Sequence, residues 1–216
     1  MAASADIATG SAALPARIGR LIPRRELGRG AQGVVYLASD PDLERDVAIK
    51  TLSRTGRDPD RLLAEARKVS RLAHPNIVSI YEIGERNDLP WLVYEYVEGV
   101  PLRRFIDAGE PMPSRRVVEI LVAVLEGVGH AHAAGIVHRD LTPANIILDA
   151  GDRPRILDFG VTSFVNDVQT RSEIVGTVAY MAPEVIAGEE VSGQADLFST
   201  GAIAHELLTG KRLFIG

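Results

Sequence analysis

The sequence predicts an α+β molecule in two parts, a small sheet carrying a single helix and then a mainly helical part. Three observations carry this. From Leu21 to Tyr96 short β-rich pieces surround one helical stretch, and after Gly99 the pattern turns to long helices. A chain of 216 residues, 46% hydrophobic and 25% charged, can also bury a sizeable core.

Taken in chain order, residues 1–17 are rich in Ala and Ser and have no basic start before their short apolar stretch, so they read as a disordered leader. Val34–Ser39 is rich in β-formers and stops at Asp40-Pro41. Asp46–Leu52, Ile77–Ile83 and Trp91–Val97 alternate apolar and polar residues, the period of a strand. Asp60–Ala73 has helical spacing and contains neither Gly nor Pro. Ser114–Ala134 opens at Pro113-Ser114 and closes at Gly135, and Ala195–Thr209 closes at Gly210. Between these helices lie two short strands, Ile146–Leu148 and Arg155–Leu157, then a loop of low periodicity from Phe159 to Tyr180. Loops of that length are usually functional or disordered.

Composition excludes several functions. A net charge of −5, from 24 basic and 29 acidic residues, argues against nucleic acid as a partner. There is no Cys, hence no disulfide framework and no thiolate metal site, which fits a cytoplasmic location. No apolar run approaches the ~18–20 residues of a membrane span, so no membrane segment is expected. Lysine is scarce, being confined to Lys50, Lys68 and Lys211, which makes a well-placed one informative.

Five segments carry candidate chemistry. In Gly28-Arg29-Gly30-Ala31-Gln32-Gly33-Val34-Val35 the glycines let main-chain N–H groups approach phosphate oxygens. A β-rich run follows, so a hairpin is expected in place of the helix a dinucleotide turn requires, and a plain glycine turn stays open. In Val47-Ala48-Ile49-Lys50, Lys50 shares a strand face with Ala48 and Leu52, either as an edge charge or as a group held for function. On the Asp60–Ala73 helix Glu65 falls between Leu72 and Val69, inside the apolar stripe, where a carboxylate needs a cation. Arg61 could supply a surface pair, and Lys50 is the sharper candidate. His138-Arg139-Asp140-Leu141-Thr142-Pro143-Ala144-Asn145 is a loop feeding a strand, in which Asp140 could accept a proton and Asn145 offer an oxygen to a hard cation. Asp158-Phe159-Gly160 puts a second hard oxygen ligand at a strand end. Taken singly, these acids also suit solvated turns or caps.

In this order and with these gaps, the segments resemble the protein kinase signature: glycine loop, V-A-I-K, H-R-D-x-x-x-x-N, D-F-G and then Ala182-Pro183-Glu184. The resemblance spans about residues 20–216 and is most similar to Hanks-type (eukaryotic-like) serine/threonine kinases as found in bacteria. It implies a bilobal kinase domain over 18–216, with a small lobe over about 18–94, a linker over about 95–99 and a partial helical lobe over about 100–216. It implies ATP-dependent transfer of the γ-phosphate to a Ser/Thr hydroxyl of a protein substrate. By that likeness Gly28, Gly30 and Gly33 cover the phosphates, Lys50 touches the α/β-phosphates and Glu65 holds Lys50. Val35 and Ala48 form the adenine ceiling and Ile147 its floor. The main chain of Glu95 and Val97 bonds the adenine edge, and Tyr94 guards the rear pocket. Asn145 and Asp158 hold Mg²⁺ or Mn²⁺, Asp140 is the catalytic base, and Thr177 is fixed against it. Arg139 then binds a phosphate on Thr170 or Ser172.

Two departures matter. The family usually has Lys two residues after the catalytic Asp, and here stands Thr142. The Ala195–Thr209 helix is apolar nearly all round, as a central helix should be, while the helices that cover it in the family are absent. That implies a C-terminally truncated domain with an exposed apolar patch around Phe198, Leu207 and Phe214, and self-association. The alternative reading is a nucleotide-binding pseudokinase or regulatory fragment without useful turnover.

Overall fold

The computed structural model describes residues 14–30, 33–52, 59–86, 89–109, 111–159 and 178–214. Most of the expected leader lies outside these residues, as do Gly160, Thr170, Ser172 and Thr177.

The first part is a five-stranded antiparallel sheet. Its strands are β1 (Ile22–Gly30), β2 (Gly33–Asp40), β3 (Arg45–Leu52), β4 (Ile80–Arg86) and β5 (Leu89–Glu95), in spatial order β1-β2-β3-β5-β4. β1 and β2 meet at Gly30 opposite Gly33, the hairpin expected of the glycine segment. Strand alternation places Val47 and Ile49 of β3 in an outer apolar cluster with Ile18, Leu21, Tyr36 and Trp91. Leu52 and half-buried Ala48, on the opposite face, join the main core. Lys50 shares their face, pointing toward the second part of the molecule.

Helix α1 (Pro59–Val69) ends before the Ala73 expected, because its ladder tightens to i→i−3 bonds, Arg71 N to Lys68 O at 3.2 Å and Leu72 N to Val69 O at 2.9 Å. The strand expected over Ile77–Ile83 starts at Ile80. Its first residues pair with β8 (Pro154–Ile156) instead: Ile156 N donates to Asn76 O at 2.8 Å and Val78 N to Ile156 O at 2.9 Å. These bonds fasten the small sheet to the second part.

That second part comprises β6 (Gly99–Pro101), α2 (Leu102–Asp107), α3 (Ser114–Ala133), β7 (Ile146–Asp149), β8, α4 (Pro183–Ala187) and α5 (Gln194–Thr209). The helices α3 and α5 and the strands β7 and β8 match their expected spans within a residue or two. β6, β7 and β8 form a small antiparallel sheet. Val117, Ile120, Val124 and Val128 recur at helical spacing along α3, and they join Ile156, Ile203 and Leu207 in one core with the inner face of the large sheet. The two parts therefore share a core, and the β7–β8 ends face the large sheet across it.

Candidate active site

The three loop glycines differ in what the backbone asks of them. Gly33 has φ +140°, and a Cβ there would lie 1.8 Å from the Thr51 carbonyl oxygen, so the hairpin itself requires glycine. At Gly28 and Gly30 a Cβ would meet nothing within 4 Å among the described residues. Val35, opposite Lys50 in the β2–β3 register, and Ala48, opposite Leu37, are half-buried.

From β3 the Lys50 Nζ donates to Asp158 Oδ2 at 2.8 Å, across a sequence separation of 108 residues. The ammonium side chain is 8% exposed and the carboxylate 23%. Burial raises the Asp158 pKa, but the charge and hydrogen bond of Lys50 outweigh it and hold the carboxyl below the ordinary aspartate range. Asp158 itself sits at φ +58°, an uncommon conformation for a non-glycine residue. Glu65 is half-buried on α1, beside buried Ala66.

Asp140 enters from the loop between α3 and β7. Burial pushes its pKa up, His138 opposes this and Asp158 adds to it, leaving the carboxyl above the usual range. Its Oδ1 is buried with no hydrogen-bond partner among the described residues. An orphaned carboxylate oxygen of this kind needs an explanation, and an arriving hydroxyl donor is a chemically suitable one. Asn145 Nδ2 donates to Asp140 O at 2.8 Å, which leaves Asn145 Oδ1 as the end of that amide available to a cation.

The loop is held by residues that sequence reasoning did not single out for the site. Asp196, fully buried in the first turn of α5, accepts the His138 N–H and the Arg139 N–H, each at 2.8 Å, and the His132 Nε2–H at 2.7 Å. This carboxylate fixes Arg139 at φ +69°. His138 Nε2 donates to Leu157 O at 2.8 Å while Nδ1 takes the Asp140 N–H at 3.3 Å, so one imidazole links the two acidic loops.

At the end of β5, Tyr94 is buried and its hydroxyl has no hydrogen-bond partner among the described residues. Burial, then the nearby charge of Asp158, raises its pKa well above that of an ordinary phenol. Glu95 closes the strand, and Val97 and Ile147 are half-buried beyond it. Near the α5 end, the expected apolar patch needs one correction. Leu207 is buried at 3% exposure, because it packs into the α3–α5 core. Phe198 stacks on Phe214, with ring centroids 5.5 Å apart. Thr177 lies outside the described residues.

An antiparallel β-lobe joined to a helical lobe, with an ammonium on the sheet facing an Asp/Asp/Asn set on the loops below it, defines the class of two-lobed phosphotransferases that act on nucleotides. The comparisons agree. The chain matches the protein kinase domain family over residues 22–216 and belongs to that family. It is 38% identical over 202 residues to a probable serine/threonine-protein kinase of Streptomyces coelicolor, covering 88% of this chain and 30% of the relative. It is 37% identical over 202 residues to serine/threonine-protein kinase PknB of Mycobacterium tuberculosis (88% and 32%) and 36% identical over 204 residues to serine/threonine-protein kinase PrkC of Bacillus subtilis (92% and 32%). The chain is thus a Hanks-type kinase domain similar to bacterial serine/threonine kinases, and it spans about a third of the length of these relatives. Among the described residues no helix is long and apolar enough to cross a membrane.

Proposed function

We propose that this chain transfers the γ-phosphate of ATP to a Ser or Thr hydroxyl of a protein substrate. The observation that carries the reading is the 2.8 Å contact between Lys50 Nζ and Asp158 Oδ2, beside Asp140 and Asn145. The residues fit the nucleotide and its metal. Among the described residues no atom lies within 4 Å of a Cβ added at Gly28 or Gly30 and one Asp140 oxygen has no partner, and Asp158 with Asn145 would offer one carboxylate and one amide oxygen, the sparse protein contribution that Mg²⁺ accepts when phosphates complete its shell. Held by Asn145 and Asp158, Mg²⁺ or Mn²⁺ would neutralise charge on the phosphate oxygens.

Each protein group then has a task. Gly28, Gly30 and Gly33 admit the phosphates to main-chain N–H groups. Lys50 meets the α/β-phosphates, with Asp158 on one side and Glu65 as its helical partner. The main chain of Glu95 and Val97 takes the adenine edge between Val35 and Ala48 above and Ile147 below. Asp140 orients the incoming hydroxyl and accepts its proton, a role its raised pKa favours. Thr177 holds the substrate segment against Asp140, and Arg139 binds a phosphorylated Thr170 or Ser172. Most of the acceleration comes from positioning and charge, as little covalent chemistry is asked of the protein.

The test is transfer from γ-labelled ATP to a generic Ser/Thr protein substrate in the presence of Mg²⁺. Lys50→Met and Asp140→Asn should each lower the rate at least about 10²-fold. Thr142 in place of a cation is the observation favouring the second reading, a nucleotide-binding pseudokinase. ATP binding that depends on Lys50, with no transfer above the Asp140→Asn background, would establish that reading instead.

A further inference from the structure

The end of β5 and the middle of β8 are joined by one side-chain pair. Arg155 Nη2 donates to Glu95 Oε2 at 2.7 Å, across 60 residues of sequence, with the side chains 14% and 25% exposed. The same Glu95 oxygen takes the Ser79 N–H at 3.4 Å, and the Glu95 N–H donates back to Ser79 O at 2.9 Å. Arg155 stands opposite Ile147 in the β7–β8 register and three residues before Asp158. One half-buried ion pair therefore connects the segment proposed to bond adenine with the strand that pairs with Ile147 of β7 and leads into Asp158.

We infer that Glu95 and Arg155 form a positioning tether that sets the linker main chain over β8, so that nucleotide affinity depends on a side-chain pair which itself touches no nucleotide. The inference rests on the adenine site proposed above. Backbone bonds already tie residues 76–78 to β8, and Asn76 Nδ2 adds a bond to Pro154 O at 2.9 Å. None of these reaches the linker. The Glu95–Arg155 pair does, and its partial burial limits screening by salt. Arg155 Nε is buried without a hydrogen-bond partner among the described residues, so this guanidinium has little slack if its carboxylate is removed.

The experiment is calorimetric titration of the full chain with adenosine, and with a non-hydrolysable ATP analogue plus Mg²⁺, for the wild type, Arg155→Met, Arg155→Lys, Glu95→Gln and the Glu95→Gln/Arg155→Met double variant. Arg155→Met and Glu95→Gln should each weaken both ligands by the same factor of about five, the size of a contact-pair coupling. Arg155→Lys should keep most of the affinity, and the double variant should bind no more weakly than either single one. Independent effects of the two side chains predict losses that multiply in the double variant, and that result overturns the tether. Adenosine binding to Arg155→Met at wild-type strength overturns it as well. If Arg155→Met does not melt cooperatively, Glu95→Gln against Arg155→Lys carries the same comparison. A wild-type chain that binds neither ligand would instead defeat the adenine site itself and the tether with it.

Discussion

At the scale of single residues, the cleft holds one ammonium against two carboxylates, and its protonation is ordered. Asp140 must be ionised to accept a proton, and burial holds its pKa above the ordinary aspartate value of about 3.9. Asp158 lies below that value because Lys50 overrides its burial. The signs for stability differ. Ionised Asp140 costs stability, a cost relieved as pH falls through its folded pKa; ionised Asp158 contributes stability that persists above the unfolded value and is lost as pH falls through its folded pKa. Acid should therefore stop catalysis before it loosens this part of the fold. A kcat/KM profile should fall at a higher pH than the acid limb of a circular dichroism melt, and coincident limbs would refute the assignment. Thr142 is 8% exposed, at the N-cap of the Pro143–Asn145 turn, and presents no positive charge. Replacing it with Lys supplies a donor to the developing charge, and Thr142→Lys should raise kcat at least about tenfold with the same substrate. Lys50, Asp140, Asn145 and Asp158 were legible as chemistry because each sits in a short motif whose residue types already limit its use. Asp196 and Arg155 were not, since their roles depend on contacts 58 and 60 residues away that no local pattern encodes.

Among the elements, the glycine hairpin separates folding from function at adjacent positions. Gly33 is required by β3, because any Cβ strikes the Thr51 carbonyl, whereas a Cβ at Gly28 or Gly30 meets nothing within 4 Å among the described residues. Gly33→Ala should destabilise the chain by about 2–6 kcal/mol, backbone strain added to overpacking. Gly30→Ala should melt like the wild type and lose nucleotide affinity. Equal melting of the two variants would show that the hairpin relaxes around a methyl group and that the distinction is wrong. Elements with strong internal periodicity were readable in advance: β2, β3, α3 and α5 lie within a residue or two of expectation. Errors gathered where a neighbour decides the outcome. Ile77 and Val78 read as part of a strand continuing to Ile83 but pair with Ile156 in the other lobe, and α2 is only six residues long, too short for a helical period to register.

On the scale of the whole molecule, α5 shows what its neighbours do and do not cover. One side packs Ala202, Ile203 and Leu207 against α3, and the buried Glu206 carboxylate is held by the Tyr180 hydroxyl and by Arg103 at 3.4 Å. Burial, then Glu206, pushes the Tyr180 hydroxyl up to about 12, so it remains a donor throughout the working range. The other side carries Leu197 and Leu208, which share a helical face three turns apart and are 45% and 42% exposed. Leu213 and Phe214, at 47% and 44%, extend the apolar surface, with Phe214 stacked on Phe198. Scattered apolar residues are ordinary on a surface, but several large ones exposed along one helix and its C-terminal extension favour association. Light scattering on this chain should show weight-average mass rising with concentration. The Leu197→Glu/Leu208→Glu variant should remain monomeric over the same range with its melting temperature unchanged, since neither side chain contributes to the core. A wild-type chain that stays monomeric at high concentration would show that the patch is too small to drive contact in water, and the self-association expected from the apolar helix would then be wrong for this chain.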